Sequence, residues 1–241
     1  MEIRAEDPLA VAVGSAIRSG DVDELKRLLN ETPDLANGRI VDECGVARTL
    51  LHVAADWPGH FPNGAATVSA LIAAGADANA FVNGPRNSRE TPLHWAASSD
   101  DVAVLDALLD GGADIEAPGA IFTGGAPMSD AVVFAQWNAA RRLLERGART
   151  TIWQAAALGL LDRVEELSAD SPTIDDITNA FWHACRGGQR RTAEFLLERG
   201  ANLNWVGYDH KTPLDAAFDS GAEDVVEWLQ RQGAKRAMES I

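Results

Sequence analysis

Five histidines, two cysteines and 36 Asp/Glu carboxylates are the groups in this 241-residue chain that could bind a metal, move a proton or attack an electrophile. Their spacing argues against each of these. Cys44 and Cys185 have no second cysteine nearby, so neither a disulfide framework nor a cysteine-rich zinc site is supported, and both read as reduced structural thiols. Asp56 and His60 stand four residues apart, but the Pro58-Gly59 between them breaks any helix that would make the two converge. A hydrolytic metal site needs three ligands and an open position, and a third ligand from Glu90 or His94 is unconstrained by the sequence. No Gly-x-Gly-x-x-Gly fingerprint, phosphate loop, Gly-x-Ser-x-Gly elbow or His-Glu-x-x-His helix occurs. The expectation is therefore no catalytic residue, no metal, no cofactor and no enzyme.

His52 and His94 belong to a different pattern, and it reveals the elements that carry everything else. Thr91-Pro-Leu-His-Trp-Ala-Ala97 leads through Val104-Leu-Asp-Ala-Leu-Leu109 to Gly112-Ala-Asp, and Thr212-Pro-Leu-Asp-Ala-Ala217 leads through Val225-Val-Glu-Trp-Leu229 to Gly233-Ala. From Thr to closing Gly the offset is 21 residues in both; Thr49-Leu-Leu-His-Val-Ala-Ala55 reaches Gly75-Ala-Asp with five more. Weaker copies run from Ala126 to Gly147, from about 150, and from Asn179 to Gly200, and an N-terminal copy spans Ser15 to Leu29. The mechanics are local. Thr caps a first helix whose first turn holds Pro, an apolar stripe at i, i+3, i+4 defines a second helix, and Gly closes it in the left-handed region. That stripe includes Leu108, Leu109, Leu196 and Leu197.

The unit resembles the ankyrin repeat, whose signature is a Thr-Pro-Leu-His-x-Ala opening in about 33 residues holding a turn and two helices. The resemblance covers about residues 10–236. It implies an all-α solenoid of about seven helix-turn-helix units with projecting finger loops. The expected organisation is one domain over 1–241: an N-terminal capping repeat at about 8–36, repeats opening near 49, 91, 126, 150 and 179, and a C-terminal capping repeat at about 212–236. It further implies that His52 and His94 tie the opening of a unit to backbone and to its Thr. Fingers and first-helix faces are then expected to line the concave surface where partners sit.

Departures from the period locate the expected working face. Openings are spaced 38, 42 and 35 residues in the first three intervals, then 24, 29 and 33. The excess lies in the loops 37–48, 81–90 and 116–125 and in one insertion, Asp56-Trp-Pro-Gly-His-Phe-Pro-Asn-Gly64. Trp57, His60 and Phe61 of this insertion are aromatic surface of the kind enriched at binding anchors. Trp95 and Asp130 share the fourth position after the opening, and Asp56 and Phe134 the seventh to eighth, which in this family often face the concave side. The candidate partner-binding set is Arg48, Asp56, Trp57, His60, Phe61, Glu90, Trp95, Asp130 and Phe134. Trp95 reads equally as contact or core, while Trp153 and Trp182 read as core. The alternative to a protein-binding face on repeats one to four is an enzyme or small-ligand pocket under the inserted loop 56–64.

Net charge is −15, and it is uneven: 8 Lys/Arg against 19 Asp/Glu in residues 1–120, 13 against 17 in the rest. Such a field repels phosphate backbones and anionic lipid, so neither nucleic acid nor membrane is expected, and a basic protein partner is favoured. The acidic start lacks the basic and apolar run of a secretory signal. A cytoplasmic monomer is the expectation.

Overall fold

The computed structural model describes residues 1–84 and 89–237, so the centre of the second expected finger, residues 85–88, lies outside the described residues. The chain divides into two compact units, Met1–Ala148 and Arg149–Ile241. Unit 1 holds four helix pairs: α1 (Pro8–Ser19) with α2 (Val22–Glu31), α3 (Leu50–Ala55) with α4 (Gly64–Ala73), α5 (Pro92–Ser98) with α6 (Val102–Asp110), and α7 (Pro127–Val133) with α8 (Trp137–Glu145). Unit 2 holds three: α9 (Ile152–Ala157) with α10 (Leu161–Ser168), α11 (Ile174–Arg186) with α12 (Arg190–Glu198), and α13 (Pro213–Asp219) with α14 (Glu223–Arg231). Within unit 1, first helices pack in the order α1, α3, α5, α7 and second helices in the order α2, α4, α6, α8. Unit 2 repeats the arrangement with α9, α11, α13 beside α10, α12, α14. This is solenoid packing, in which each pair buries its apolar face against its neighbours.

The motif residues do what their chemistry predicts. Thr91, Thr151, Thr173 and Thr212 each open a first helix in a capping box, the partner three residues on being His94, Gln154, Asp176 or Asp215. Gly75, Gly112, Gly147, Gly200 and Gly233 close second helices at φ between 81° and 95°, and the amide after each reaches back to a helix carbonyl at 2.9–3.2 Å. Only glycine adopts this conformation without strain. Asp21 and Asp101, outside the repeat signature, cap α2 and α6 through the amides of Glu24 and Val104.

Two features depart from the sequence reading. The loop 37–48 is a small sheet: β2 (Arg39–Val41) pairs antiparallel with β3 (Ala47–Thr49) and parallel with β1 (Glu2–Arg4) at the chain start. Asp42 holds the hairpin turn by accepting from the amides of Cys44 and Val46, both at 2.9 Å. The second finger joins at Asn83, whose amide donates to the Ala47 carbonyl at 3.0 Å. The second departure is α11, which begins at Ile174 behind a Thr173 cap, a turn before the opening expected near 179. Thr173 and Asp176 form a better cap than Asn179 offers, while Asn179 to Ala184 keep their register inside the longer helix.

Leu108 and Leu196 are fully buried on their second helices, whereas Leu109 and Leu197 are only partly so. Leu108→Ala and Leu196→Ala are expected to cost about 2–5 kcal/mol in urea melts, and the Leu109 and Leu197 variants clearly less, because fewer contacts are lost to a cavity.

Candidate functional site: the finger and first-helix face of unit 1

Two histidines hang the fingers on the stack. The Thr91 amide donates to His94 Nδ1 at 3.1 Å, so Nδ1 is an acceptor and the ring proton sits on Nε2, which donates to the Gly125 carbonyl at 3.2 Å. His52 is arranged the same way, with Nδ1 2.8 Å from Thr49 Oγ1 and Nε2 donating to the Glu90 carbonyl at 3.2 Å. Burial in the first-helix layer disfavours the imidazolium and holds His52 at about 3 and His94 at about 4. Both rings are neutral struts: each locks a helix start and anchors the end of the following finger.

Arg48 and Trp95 meet on this face. The Arg48 guanidinium lies 5.8 Å from the Trp95 ring centre, and Trp95 packs edge-on against His52 with centroids 4.9 Å apart. Trp95 is half-buried, packed on one side and accessible on the other. Arg48 also pairs with Asp42 of the hairpin turn at 3.0 Å. Beside them a groove of about 600 Å³ runs between α1 (Ala10, Gly14, Arg18) and the sheet and α3 (Ile40, Arg48, Val53), with Asp56 at its end. Partial burial pushes the Asp56 carboxyl up, opposed by the charges of Arg48 and Arg18.

Farther along, Asp130 on α7 is buried, with 1% of its surface exposed, and neither carboxylate oxygen has a hydrogen-bond partner. Desolvation, reinforced by the negative charge of Glu90, pushes it up to about 8; the Ile121 backbone amide, near the carboxyl but outside hydrogen-bond geometry, opposes this only in part. One turn on, Phe134 is 42% exposed and meets the 70% exposed Phe122 of the third finger with ring centres 5.9 Å apart.

The inserted segment 56–64 goes elsewhere. The His60 amide donates to Asp101 Oδ2 at 2.6 Å, Asn63 Nδ2 donates to the Gly20 carbonyl at 2.9 Å, and Gly59 lies so close to Ser99 that a side chain would collide with it. The insertion therefore clamps the α1–α2 and α5–α6 turns, at the helix ends away from the fingers. Trp57 and His60 are exposed there and Phe61 is half-buried. Of its residues Asp56 alone lines this groove. Among the described residues no three His, Cys, Asp or Glu side chains converge as a metal site would require, and no helix is long and apolar enough to cross a membrane.

Unit 2 carries a cluster that sequence reasoning did not find. Trp153, Trp182 and Tyr208 surround His183 with ring centres 4.7, 5.0 and 5.6 Å away, and Trp205 meets Tyr208 at 5.9 Å. Trp182 is core, as expected, its indole donating to the Lys211 carbonyl at 3.0 Å; Trp153 is half-buried. Burial holds His183 at about 3. Trp205 and Tyr208 fall in a loop between helices, where no repeat position marks them.

A family model of ankyrin repeats, in three copies, matches residues 9–119 and 152–236. This chain belongs to the ankyrin-repeat family. An ankyrin repeat and KH domain-containing protein of Caenorhabditis briggsae is 30% identical over 185 residues, 73% of this chain; the match spans 7% of the length of that relative. Among solved structures, the human ASB11 ankyrin repeat domain aligns at 21% identity and TM-score 0.53, covering 93% of this chain and 98% of that one. The Bcl-3 ankyrin repeat domain aligns at 22% and 0.51, covering 90% and 97%. At such identities the two structures speak to fold alone.

Ankyrin repeats generally mediate protein–protein interaction, and the expected binding residues divide accordingly. The fold gathers Arg48, Asp56, Glu90, Trp95, Asp130 and Phe134 on the first helices and fingers of unit 1. Trp57, His60 and Phe61 form a separate patch. Phe122 was missed because a lone aromatic in a Gly-rich loop has no period to betray it, although its place in a long finger was a usable signal.

Proposed function

We propose that this ankyrin-repeat protein binds a polypeptide partner across the finger and first-helix face of unit 1, as a cytoplasmic monomer without catalysis or cofactor. The observation that carries the reading is aromatic surface held outward by rigid supports: Trp95 between Arg48 and His52, and the Phe122–Phe134 pair. Large rings fixed in place are what dominate interface energetics. The charge balance, 8 basic against 19 acidic residues in 1–120, favours a basic partner. Trp57, His60 and Phe61 act as a second contact patch at the opposite helix ends.

Selection of binders from a random peptide display library on the full chain, followed by calorimetry, tests this. Trp95→Ala and Phe134→Ala should each weaken the selected peptides by about tenfold or more, as loss of a hot spot does. Arg190→Glu, a change on α12 of unit 2 where Arg190 pairs with Glu194 and Asp224, should leave affinity unchanged. Affinity lost only in the Arg190 variant would place the working surface elsewhere.

A further inference from the structure

Asp130 is a buried polar side chain that the repeat fold does not explain. The positions matching it in the two preceding first helices hold Val53 and Trp95, so nothing in the stack calls for an acid there. The other buried carboxylate among the described residues of unit 1, Asp101, serves structural bonds: it caps α6 with one oxygen and takes the His60 amide with the other. Asp130 serves none. Both its oxygens are without a partner, and the charge of Glu90 acts on it from the end of the second finger.

Its surroundings are those of an anchor site. Phe134 stands one turn along the same helix, Phe122 touches it from the third finger, and Ile121 and Phe122 are 46% and 70% exposed. The turn that carries them, Ala120 to Thr123, is bounded by Gly119 and Gly124, both at positive φ, so its tip is hinged on residues tolerant of backbone change. We propose that Asp130 and Glu90, rimmed by Phe122 and Phe134, receive one lysine or arginine side chain of the polypeptide partner, its aliphatic stem lying against the two rings and its cationic tip reaching the carboxylates. This deepens the function proposed above and rests on it.

The chemistry selects a cation. A neutral donor could satisfy one oxygen but would leave Asp130 in its protonated form beside Glu90, whereas an ammonium or guanidinium favours the carboxylate and offsets the charge of both acids. The long apolar stem suits an aromatic rim better than a small polar group does. In the free protein Asp130 is buried with the Ile121 backbone of the finger tip beside its carboxyl, so entry of the side chain displaces that tip.

The test uses the full chain and two acetylated, amidated hexapeptides that differ at one position: a lysine flanked by leucines, and the same sequence with norleucine for lysine. Calorimetry is combined with carbon NMR of the Asp130 carboxyl group. The lysine peptide should bind at least about tenfold more tightly than the norleucine peptide and shift the Asp130 signal saturably, and Asp130→Asn should erase the difference while the protein stays folded. Equal binding of the two peptides, no saturable Asp130 shift, or full lysine preference in Asp130→Asn each overturns the proposal. If display-selected peptides lose affinity in Trp95→Ala yet carry no basic residue and tolerate Asp130→Asn, the interaction face stands and the cation site does not.

Discussion

Asp130→Asn is expected to stabilise unit 1 by about 4 kcal/mol at pH 7, with the gain growing by about 1.4 kcal/mol for each pH unit between about 4 and 8. The native carboxyl titrates at about 8, while an unfolded aspartate titrates near its ordinary value of about 3.9. Between those values the folded state holds a proton that the unfolded state has released. The contribution is therefore fully present at low pH and is lost as pH rises toward 8. His52 and His94 act in the opposite direction. Their folded values of about 3 and 4 lie below the ordinary 6.5, so the unfolded state takes up two more protons as pH falls below about 6.5, and stability falls with it. The wild type should show a maximum near pH 6.5. Asp130→Asn should be flat above that pH and steeper below it. Urea melts from pH 4.5 to 8.5 read both limbs; an unchanged alkaline limb in the variant would mean Asp130 is ionised and solvated.

His94→Ala should cost unit 1 about 2 kcal/mol, because it strands the buried Thr91 amide and takes one of three donors from the Gly125 carbonyl, which keeps the amides of Gly119 and Ala120. His94→Gln separates the two roles. Gln154 occupies the same place in α9, where its Oε1 accepts from the Thr151 amide at 2.8 Å. A glutamine at 94 should keep the cap and lose the tether, costing about half as much. Amide exchange should quicken in both variants at Gly119, whose N–H donates to the Gly124 and Gly125 carbonyls, and at Ala120, whose N–H donates to that of Gly125, since both variants release the finger. Exchange left at the wild-type rate would show that the finger holds its own shape.

The helix pairs were legible because each carries some of a small set of residues with strong local preferences: a Thr cap, a Pro in the first turn, a Gly at positive φ, and leucines at helical spacing. The role of His52 and His94 followed from the family resemblance, and the geometry adds the direction of each hydrogen bond. What the sequence hid depends on contacts between distant segments. The sheet pairs Ile3 with Ile40 across the whole first helix pair, and strands of three residues are too short to show alternation. The insertion stood out in the sequence because it holds Trp57, His60 and Phe61. That its backbone bonds to Asp101 and its Asn63 to Gly20 is announced by no local pattern. Asp130 was singled out by alignment, but its burial and lack of a partner come from packing. Trp205 and Tyr208 join Trp182 and His183 only through the fold of their loop.

The most direct measurement of the central claim is amide hydrogen exchange of the full chain with and without a display-selected peptide. The account predicts that protection rises in three places: the fingers around residues 42–47 and 119–125, the starts of α3, α5 and α7, and the exposed face of α1 along the groove. Helices α4, α6 and α8 should keep their free rates. Protection confined to those second helices, or to unit 2 around Trp205 and Tyr208, would contradict the assignment of the binding face.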